Sequence, residues 1–504
     1  MLQGDKNTFL LTREEKKIFK YLLLYSFIFV LPIILANVYY VDDIGRSMDG
    51  RFAWMNDGRP LMAVMAQLLS MSRRIMPIFP VPLLLGVTLF TYTFILLARK
   101  YAPETNHLLF KSGALAFSFT NLFLLENFSY SFEALGMIIS LSLFSIPYLL
   151  NNKNYGRKSI FITFVISLCA LCFYQASIGW YLGLSLMEFF AFMQEGKKYK
   201  EIFINWMQRI IPMMIATIFY KLVIAKTLVK NYAADHEGLV HIGSSDGIVQ
   251  ILNNIHGFGN MLKAYLETLG PVLVGLFVIM LGFIYYYFLK ECLKKSLYTG
   301  WKKAVGVVLI ILAPAIIGLS SLSPYLLLKS PVFACRVFLP FTVFTFFIGI
   351  LAYQVGKKCK IVRYILPLFL LFNLSFSAAY GIALKREDQH DAQIAQYLVY
   401  DINQIEQERM AHFDKIGILG VAPRCHEMEF LSKAKPLMSL LVPSYLNNDW
   451  YWAGEYIKHF RKRNVQNTKL TEEDRKVIDS TKPIKQNEYY ALRVNGDKVL
   501  ISFQ

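Results

Sequence analysis

The stretch NVYYVDDIGRSMDGRFAWMNDGRPL, residues 37–61, places two adjacent carboxylates and three arginines directly after an apolar segment. Asp42 and Asp43 are suited to general base catalysis, in which a carboxylate takes a proton from an acceptor hydroxyl while a leaving group departs. The alternative is a pair of solvated acidic residues at a helix end. The sequence leaves open which of the two aspartates would be the base.

The arginines of the same stretch are suited to binding an anionic group beside that base. A planar guanidinium matches the oxygens of a phosphate, so Arg46, Arg51 and Arg59 are candidates for holding a phosphate leaving group. Trp54 lies among them in the sequence. The alternative is that these arginines pair with neighbouring aspartates or with lipid phosphates.

Two later motifs carry polar residues at the predicted ends of apolar segments. In YSFEALGM, Tyr130 and Glu133 lie three residues apart and would share one helical face as an acceptor-binding pair. An acidic residue that enters a membrane helix is costly and usually has a partner. In FYQASIGW, Tyr174 and Gln175 occupy a predicted tight turn, where the amide could bind sugar hydroxyls. In both motifs the alternative is an ordinary interfacial or turn residue.

Three cations near the predicted ends of spans could complete a phosphate site. Lys221, Lys226 and Arg336 would form a cationic collar for a lipid phosphate, unless each simply extends to the membrane surface. His236, His241 and His256 share one loop but lack the spacing of metal ligands. We therefore predict no metal site.

The composition of the chain indicates which elements position these residues. Of the 504 residues, 55% are hydrophobic and only 17% are charged, whereas soluble domains have about 25% charged residues. Apolar windows of about 20 residues, enough to cross a bilayer, recur along most of the sequence. The net charge of +18 comes mostly from short loops, which is typical of topology signals and does not indicate a nucleic-acid partner.

We predict an α-helical polytopic membrane protein with about eleven transmembrane helices. The predicted spans lie near 18–37, 78–98, 107–126, 130–150, 158–174, 176–194, 207–228, 267–289, 304–327, 337–355 and 363–384. The loops on the side of the N-terminus are richer in Lys and Arg, so that side is predicted to be cytoplasmic. The bacterial cytoplasmic membrane is the expected location, with the N-terminus cytoplasmic and the opposite loops periplasmic or extracellular.

Three segments are then predicted to lie on the outer face. They are a first outer loop at 37–77, a second outer loop at 229–266, and a C-terminal domain at 385–504 that follows the membrane domain at 1–384. Each loop carries an amphipathic segment suited to lying flat on the membrane. The C-terminal domain is predicted to be α/β, with a buried strand in KIGILGVAP and a hairpin that turns at Asn495–Gly496.

The blocks YYVDDIGR, GRFAWMNDGRPL, YSFEALGM and FYQASIGWYL, in this order, resemble the serotype-converting O-antigen glucosyltransferases, the Gtr type II family. The resemblance covers most of the membrane region, from residue 37 through the tenth span. It implies a GT-C architecture with a catalytic acid in the first outer loop. Asp42 and Asp43 match the acidic pair of the family, and Arg51, Trp54 and Arg59 match its arginine–tryptophan–arginine stretch. The family block tends to have Asp at the position of Glu133.

The function that this resemblance implies is transfer of a hexose, expected to be glucose, from a polyprenyl-phosphate donor to a lipid-linked glycan such as O-antigen. The reaction would invert the anomeric configuration and would require no cofactor, with a divalent metal not favoured. The expected partners are the bilayer, the donor lipid, the glycan acceptor, a flippase and a donor-lipid synthase. A polysaccharide polymerase or ligase, a lipid-glycan transporter and a non-catalytic envelope scaffold are the alternatives.

Overall fold

The computed structural model of the chain describes residues 9–104, 107–150, 156–230, 236, 238–241, 243–295, 300–448, 451–461, 463 and 465–503. Within these residues, eight helices are long and apolar enough to cross a membrane, which indicates a membrane protein. Part of the predicted second outer loop lies outside the described residues.

The helices that precede the sheet are, in chain order, α1 (Arg13–Ala36), α2 (Asp42–Asp49), α3 (Pro60–Ser70), α4 (Val81–Tyr101), α5 (Leu108–Phe119), α6 (Leu124–Ser129), α7 (Ala134–Leu149), α8 (Arg157–Phe173), α9 (Ile178–Gln194), α10 (Tyr199–Phe219), α11 (Ser245–Lys295), α12 (Gly300–Leu326), α13 (Thr342–Gly356) and α14 (Lys360–Arg409). Among the described residues, three 3₁₀ turns, at Ala53–Met55, Gln175–Ser177 and Cys335–Phe341, lie between or beside them, as do a π-helical turn at Tyr220–Ala225 and a short α-helical turn at Lys226–Leu228. Each of the eleven predicted spans contains a helix. Because α5, α7 and α8 have only 12, 16 and 17 residues, the number of spans stays a prediction.

The third predicted span, 107–126, breaks in its second half. Helix α5 ends before Thr120, and the short α6 begins four residues later. The side-chain amide of Asn373, on α14, donates to the backbone oxygen and the hydroxyl of Thr120 at 3.0 and 2.9 Å. Because a buried partner satisfies the freed backbone group, a helix can end inside an apolar region. The break places the buried carboxylate of Glu126 on a helix of its own.

Helix α3 begins at Pro60, as the sequence predicts, since proline suits the first helical position. Apolar side chains lie on two faces of the helix, one packed against the bundle and the other exposed. Met62 and Met65 are buried against the bundle, whereas Val64 is 48% and Leu68 is 69% exposed. An exposed apolar face of this kind is typical of a helix that lies in a membrane interface.

Helix α11 joins two elements that the sequence analysis treated separately. Its first half is the predicted amphipathic helix of the second loop, and its second half is the eighth span. Gly270, with φ of 77°, bends the helix directly before Pro271, because a residue that precedes proline is disfavoured in the α region. Ile248 and Leu252 of the first half are more than half exposed.

The C-terminal part of the chain begins within a long helix that crosses the predicted domain boundary. Helix α14 has 50 residues and spans about 75 Å, so it runs without interruption through the predicted domain boundary at 384. The elements after it are β1 (Lys415–Leu419), α15 (His426–Ala434), α16 (Leu437–Leu441), α17 (Trp452–Lys458), β2 (Gln466–Asn467), α18 (Glu472–Ser480), β3 (Lys485–Gln486), β4 (Tyr490–Asn495) and β5 (Lys498–Phe503). We call residues 410–503 the tail.

The tail contains a five-stranded mixed sheet in the order β2-β1-β5-β4-β3. Strand β1 is parallel to β2 and β5, while β4 is antiparallel to β3 and β5. The predicted buried strand and the predicted hairpin are both confirmed. The hairpin pairs Asn495 with Lys498, and Gly496 takes the positive φ of 57° that its turn requires.

The tail and the helical bundle share their hydrophobic cores. Met428 and Leu441 of the tail are buried in the core of the bundle. Conversely, Ile44 of α2 is buried in the core of the tail, together with Ile416 and Leu492 of its sheet. Helix α2, which carries the two aspartates, therefore lies between the bundle and the tail.

Candidate active site

The two aspartates occupy the first turn of α2. The Asp43 side chain is fully buried, and its Oδ2 accepts the backbone N–H of Ser131 at 2.5 Å. The Asp42 side chain is 33% exposed. The two neighbours thus differ in access to solvent and to any substrate.

Glu133 lies at the centre of an ion-pair cluster that joins the first loop to the bundle. Its Oε1 lies 2.6 Å from Arg46 Nη1, and its Oε2 accepts from Arg59 Nη1 at 3.2 Å. The Glu133 side chain is 2% exposed. A buried carboxylate needs such charged partners, and one glutamate here fixes two arginines.

Aromatic rings support both arginines. The guanidinium of Arg46 lies 4.6 Å from the ring centroid of Trp54, which is fully buried. The guanidinium of Arg59 lies 4.8 Å from the ring of Tyr174. These are cation–π distances, so the tryptophan and tyrosine of the sequence motifs orient the arginines.

Gln175 fixes the loop that carries Arg59. Its side-chain oxygen accepts from Arg59 Nε at 3.1 Å, and its amide nitrogen donates to the Asp57 carbonyl at 2.9 Å and to the Tyr220 hydroxyl at 2.6 Å. That hydroxyl donates in turn to the carbonyl of Gly58. Gly58 has a φ of +71°, and a Cβ there would lie 2.3 Å from the Tyr220 hydroxyl. The position therefore requires glycine.

Arg336 forms a second ion pair, with a carboxylate that the sequence analysis missed. Its backbone N–H donates to Glu126 Oε2 at 2.7 Å, and its Nη1 lies 3.4 Å from Glu126 Oε1. The same Nη1 donates to the hydroxyl of Tyr130. The Tyr174 hydroxyl lies 3.5 Å from the Arg336 carbonyl, which links this pair to Arg59. The sequence does contain a signal for Glu126, which is an acidic residue within the apolar run LFLLENFSY. As with Glu133, an acidic residue in a membrane segment is costly and usually has a partner.

The expected pairing of Tyr130 with Glu133 is wrong. The two side chains do not share a helical face, because the chain is extended at Tyr130 between α6 and α7. Tyr130 contacts Arg336, whereas Glu133 contacts Arg46 and Arg59. Glu133 therefore joins the arginines and is not a partner of the tyrosine.

Two expected cluster members lie on the surface. The Arg51 side chain is 74% exposed and pairs with Asp49, away from the cluster. Lys221 is exposed on the π-helical turn, whereas the adjacent Tyr220 is buried and reaches Gln175. Successive helical residues point in different directions, so only one of the two can face the cluster. Their expected roles as phosphate ligands have no support in this arrangement.

The charges of the cluster interact across its whole width. Arg46 Nη1 lies 3.8 Å from Asp42 Oδ2 and 4.0 Å from Asp43 Oδ1. Asp42 also interacts electrostatically with Arg336. Burial raises the pKa of Asp43 well above its ordinary value, and Arg46 offsets part of that rise. Burial likewise raises the pKa of Asp57, against the opposing effect of Arg59.

The tail closes one side of the site. Nε2 of His459 lies 3.0 Å from the carbonyl oxygen of Ile44, and the indole of Trp452 lies against Gly45, where a Cβ would meet it at 3.1 Å. Neither residue was among the predicted site residues. The described residues contain no group of three or more His, Cys, Asp or Glu that could hold a metal ion.

Comparison with known proteins places the chain in a family. The chain is 26% identical to an uncharacterized 55.3 kDa protein in the gtrB 5′ region of Salmonella phage P22, over 95% of this chain and 96% of the relative. No solved structure matches the chain. The family model described as Glucosyl transferase GtrII matches residues 31–353, which include α2, the ion pairs of Glu133 and Glu126, and all the predicted site residues. The chain therefore belongs to the glucosyl transferase GtrII family, as the sequence motifs indicated.

Proposed function

We propose that the protein transfers a glucosyl group from a polyprenyl-phosphate donor to a lipid-linked glycan such as O-antigen. Membership of the GtrII family supports glucosyl transfer, and the description of its phage relative in a gtr region agrees with it. The observation that carries the proposal is the partly exposed carboxylate of Asp42, which lies 3.8 Å from Arg46 and interacts electrostatically with Arg336. A base and a cationic phosphate site are the two parts that this reaction needs.

Asp42 is the proposed general base. Its carboxylate is partly exposed, whereas that of Asp43 is fully buried and held by the Ser131 N–H. An acceptor hydroxyl would lose its proton to Asp42 as its oxygen attacks the anomeric carbon of the donor. The bond from that carbon to the phosphate oxygen breaks, and its electron pair leaves with the polyprenyl phosphate. A single displacement of this kind inverts the anomeric configuration.

Arg59 and Arg336 are the proposed ligands of the donor phosphate. Their side chains are 23% and 24% exposed, against 8% for Arg46. The Arg59 guanidinium lies over the ring of Tyr174, whose hydroxyl lies 3.5 Å from the Arg336 carbonyl, and the two arginine side chains interact electrostatically. Because each already pairs with a carboxylate, the donor phosphate would share or replace that partner. Arg46, Asp43 and Glu133 would then position the reacting groups.

We propose that the reaction requires no metal ion. The leaving group is a monophosphate, which carries less charge than a diphosphate, so charge-assisted hydrogen bonds from two arginines could suffice. Transfer should therefore persist in the presence of EDTA. Loss of transfer in EDTA that magnesium or manganese restores would contradict this part of the proposal.

We place the site at the outer face of the bacterial cytoplasmic membrane, with the tail on the same side. The distribution of Lys and Arg among the loops supports this orientation, and the exposed apolar faces of α3 and α11 suit the bilayer surface on that side. An Asp497→Cys variant tests it, because Asp497 is 68% exposed in the tail. A membrane-impermeant maleimide should label this cysteine in intact spheroplasts, and labelling only after lysis would place the tail inside.

The central test is transfer in membrane vesicles from radiolabelled polyprenyl-phosphate-glucose to endogenous lipid-linked glycan. Asp42→Asn should lower kcat by about 10²- to 10⁴-fold, the usual contribution of a general base. Asp49→Asn is the matched control, because Asp49 lies on the same helix but pairs with the exposed Arg51. Near-normal transfer by Asp42→Asn would refute the assignment of the base. Absence of transfer by the wild type, with glucose or another hexose on this lipid, would favour the polymerase and transporter alternatives.

A further inference from the structure

The backbone directly before the two aspartates is strained. Val41 has a φ of 48° and a ψ of −104°, outside the regions that residues with a Cβ normally occupy. The N–H of Asp43 donates to the carbonyl of Tyr40 at 3.0 Å, so Val41 occupies the first central position of a turn close to type II′. That position is normally glycine, and a β-branched residue is among the least suited to it.

The tail holds this strained turn in place. The Tyr445 hydroxyl accepts the backbone N–H of Val41 at 3.1 Å and lies 3.1 Å from the Tyr39 carbonyl, to which it donates. The Tyr40 hydroxyl donates to the carbonyl of Leu441 at 2.7 Å. Three consecutive residues of the first loop thus bind to one short segment of the tail. Strained backbone persists only where its surroundings determine it in this way.

Tyr445 is itself fixed by rigid elements. Its ring stacks on that of Tyr456, with the centroids 4.9 Å apart and the planes 11° apart. Its backbone N–H donates to Asp391 Oδ2 on α14 at 3.2 Å, and its side chain is 2% exposed. The hydroxyl is therefore positioned by two helices, α14 and α17, and not by a loose loop.

We propose that Tyr445 is a positioning residue for glycosyl transfer, and that the tail is an integral part of the catalytic unit. By fixing the turn at Val41, the Tyr445 hydroxyl would determine the direction in which α2 presents the Asp42 carboxylate. This proposal rests on the proposed function, because it needs Asp42 to be the base. It gives the tail a role in the reaction besides any binding of glycan.

The test compares Tyr445→Phe with Tyr490→Phe in the full-length protein, with kcat and both KM values measured in the vesicle assay. Tyr445→Phe keeps the stacked ring and removes only the hydroxyl that binds the turn. We expect kcat to fall about 10- to 100-fold, as small misplacements of reacting groups do, with little change in either KM. Tyr490→Phe removes a hydroxyl of the buried tail core that donates to Asp401 instead and should leave kcat unchanged.

A second substitution separates positioning from general stability. Glycine adopts the φ of Val41 without strain, so Val41→Gly should restore at least part of the kcat that Tyr445→Phe loses. Three results would each overturn the proposal. They are a wild-type kcat in Tyr445→Phe, an equal loss of kcat in the two Phe variants, and no recovery of kcat in the double variant Val41→Gly/Tyr445→Phe. The wild type and Asp42→Asn separate the possible failures. Absence of transfer by the wild type refutes the proposed function, and transfer retained in Asp42→Asn refutes the assignment of the base. Transfer lost in Asp42→Asn with a normal Tyr445→Phe refutes this inference alone.

Discussion

The guanidinium of Arg46 lies 2.6 Å from the carboxylate of Glu133, and this pair joins the helix of the two aspartates to the start of α7. The same carboxylate binds Arg59. Arg46 also lies 3.8 Å from Asp42, so its pairing with Glu133 limits how strongly it pairs with the proposed base. The balance among these four charges underlies the first prediction.

Glu133→Gln should lower kcat/KM for transfer about 100-fold, which corresponds to roughly 2.7 kcal/mol. A neutral amide holds two guanidinium groups weakly, and Arg46 would move towards Asp42 and reduce its basicity. The vesicle transfer assay measures the loss. Glu427→Gln, at an exposed glutamate of the tail that pairs with Arg386, is the control. Equal activity of Glu133→Gln and the control would show that Glu133 has no part in the site.

Asp43→Asn should stabilise the protein at neutral pH while reducing transfer less than Asp42→Asn does. Burial raises the pKa of Asp43 above its ordinary value of 3.8, so the folded state binds a proton there more tightly than the unfolded state. The free energy of unfolding therefore falls as pH rises from about the unfolded pKa through the folded pKa. Asparagine removes this loss and can still accept the Ser131 N–H.

Thermal unfolding of the detergent-solubilised variant across pH tests this prediction. The Tm of Asp43→Asn should exceed that of the wild type near pH 7, and the difference should shrink as pH falls towards 4. Asp49→Asn, at the exposed end of the same helix, should show no such pH-dependent gain. A lower Tm at neutral pH would mean that the pair with Arg46 outweighs the cost of burying Asp43.

Arg59→Lys and Arg336→Lys should each raise the KM for the donor about tenfold, because an ammonium cannot reproduce the planar fork of a guanidinium on a phosphate. The KM for the acceptor should change little. Arg51→Lys is the matched control, since Arg51 belongs to the same sequence motif but is 74% exposed. Steady-state kinetics with varied donor concentration measures these values. Similar effects in all three variants would contradict the proposed division between binding and surface arginines.

Glu188→Gln should destabilise the protein by about 3–5 kcal/mol, the usual cost of removing one partner of a buried ion pair. Glu188 lies 3.1 Å from Arg209 Nε and also contacts Lys100, and the side chains of Glu188 and Arg209 are at most 3% exposed. Both cations would lose this carboxylate. Unfolding in detergent measures the loss, with the exposed Glu195→Gln as the control. An unchanged stability would show that the network can rearrange.

Local patterns were sufficient for many elements but not for the contacts of the site. The apolar windows located a helix for every predicted span, and Pro60 marked the start of α3. The break at Thr120 escaped the hydropathy pattern, because it depends on Asn373 of a distant helix. Arg51 and Arg59 looked equivalent in the sequence, yet only Arg59 reaches Glu133. Whether a loop residue faces the site or the solvent depends on the path of the backbone, and a sequence motif does not specify that path.

By itself, the sequence determined that the chain is a helical membrane protein of the GtrII type, because hydropathy and motif identity are properties of consecutive residues. Only the tertiary structure decided which of two adjacent aspartates is accessible, that Glu133 joins two arginines, and that Glu126 pairs with Arg336. It alone brought Tyr445 to the turn before Asp42. These contacts join residues between 74 and 404 positions apart, and their geometry depends on helix packing and backbone strain that a local sequence pattern does not contain.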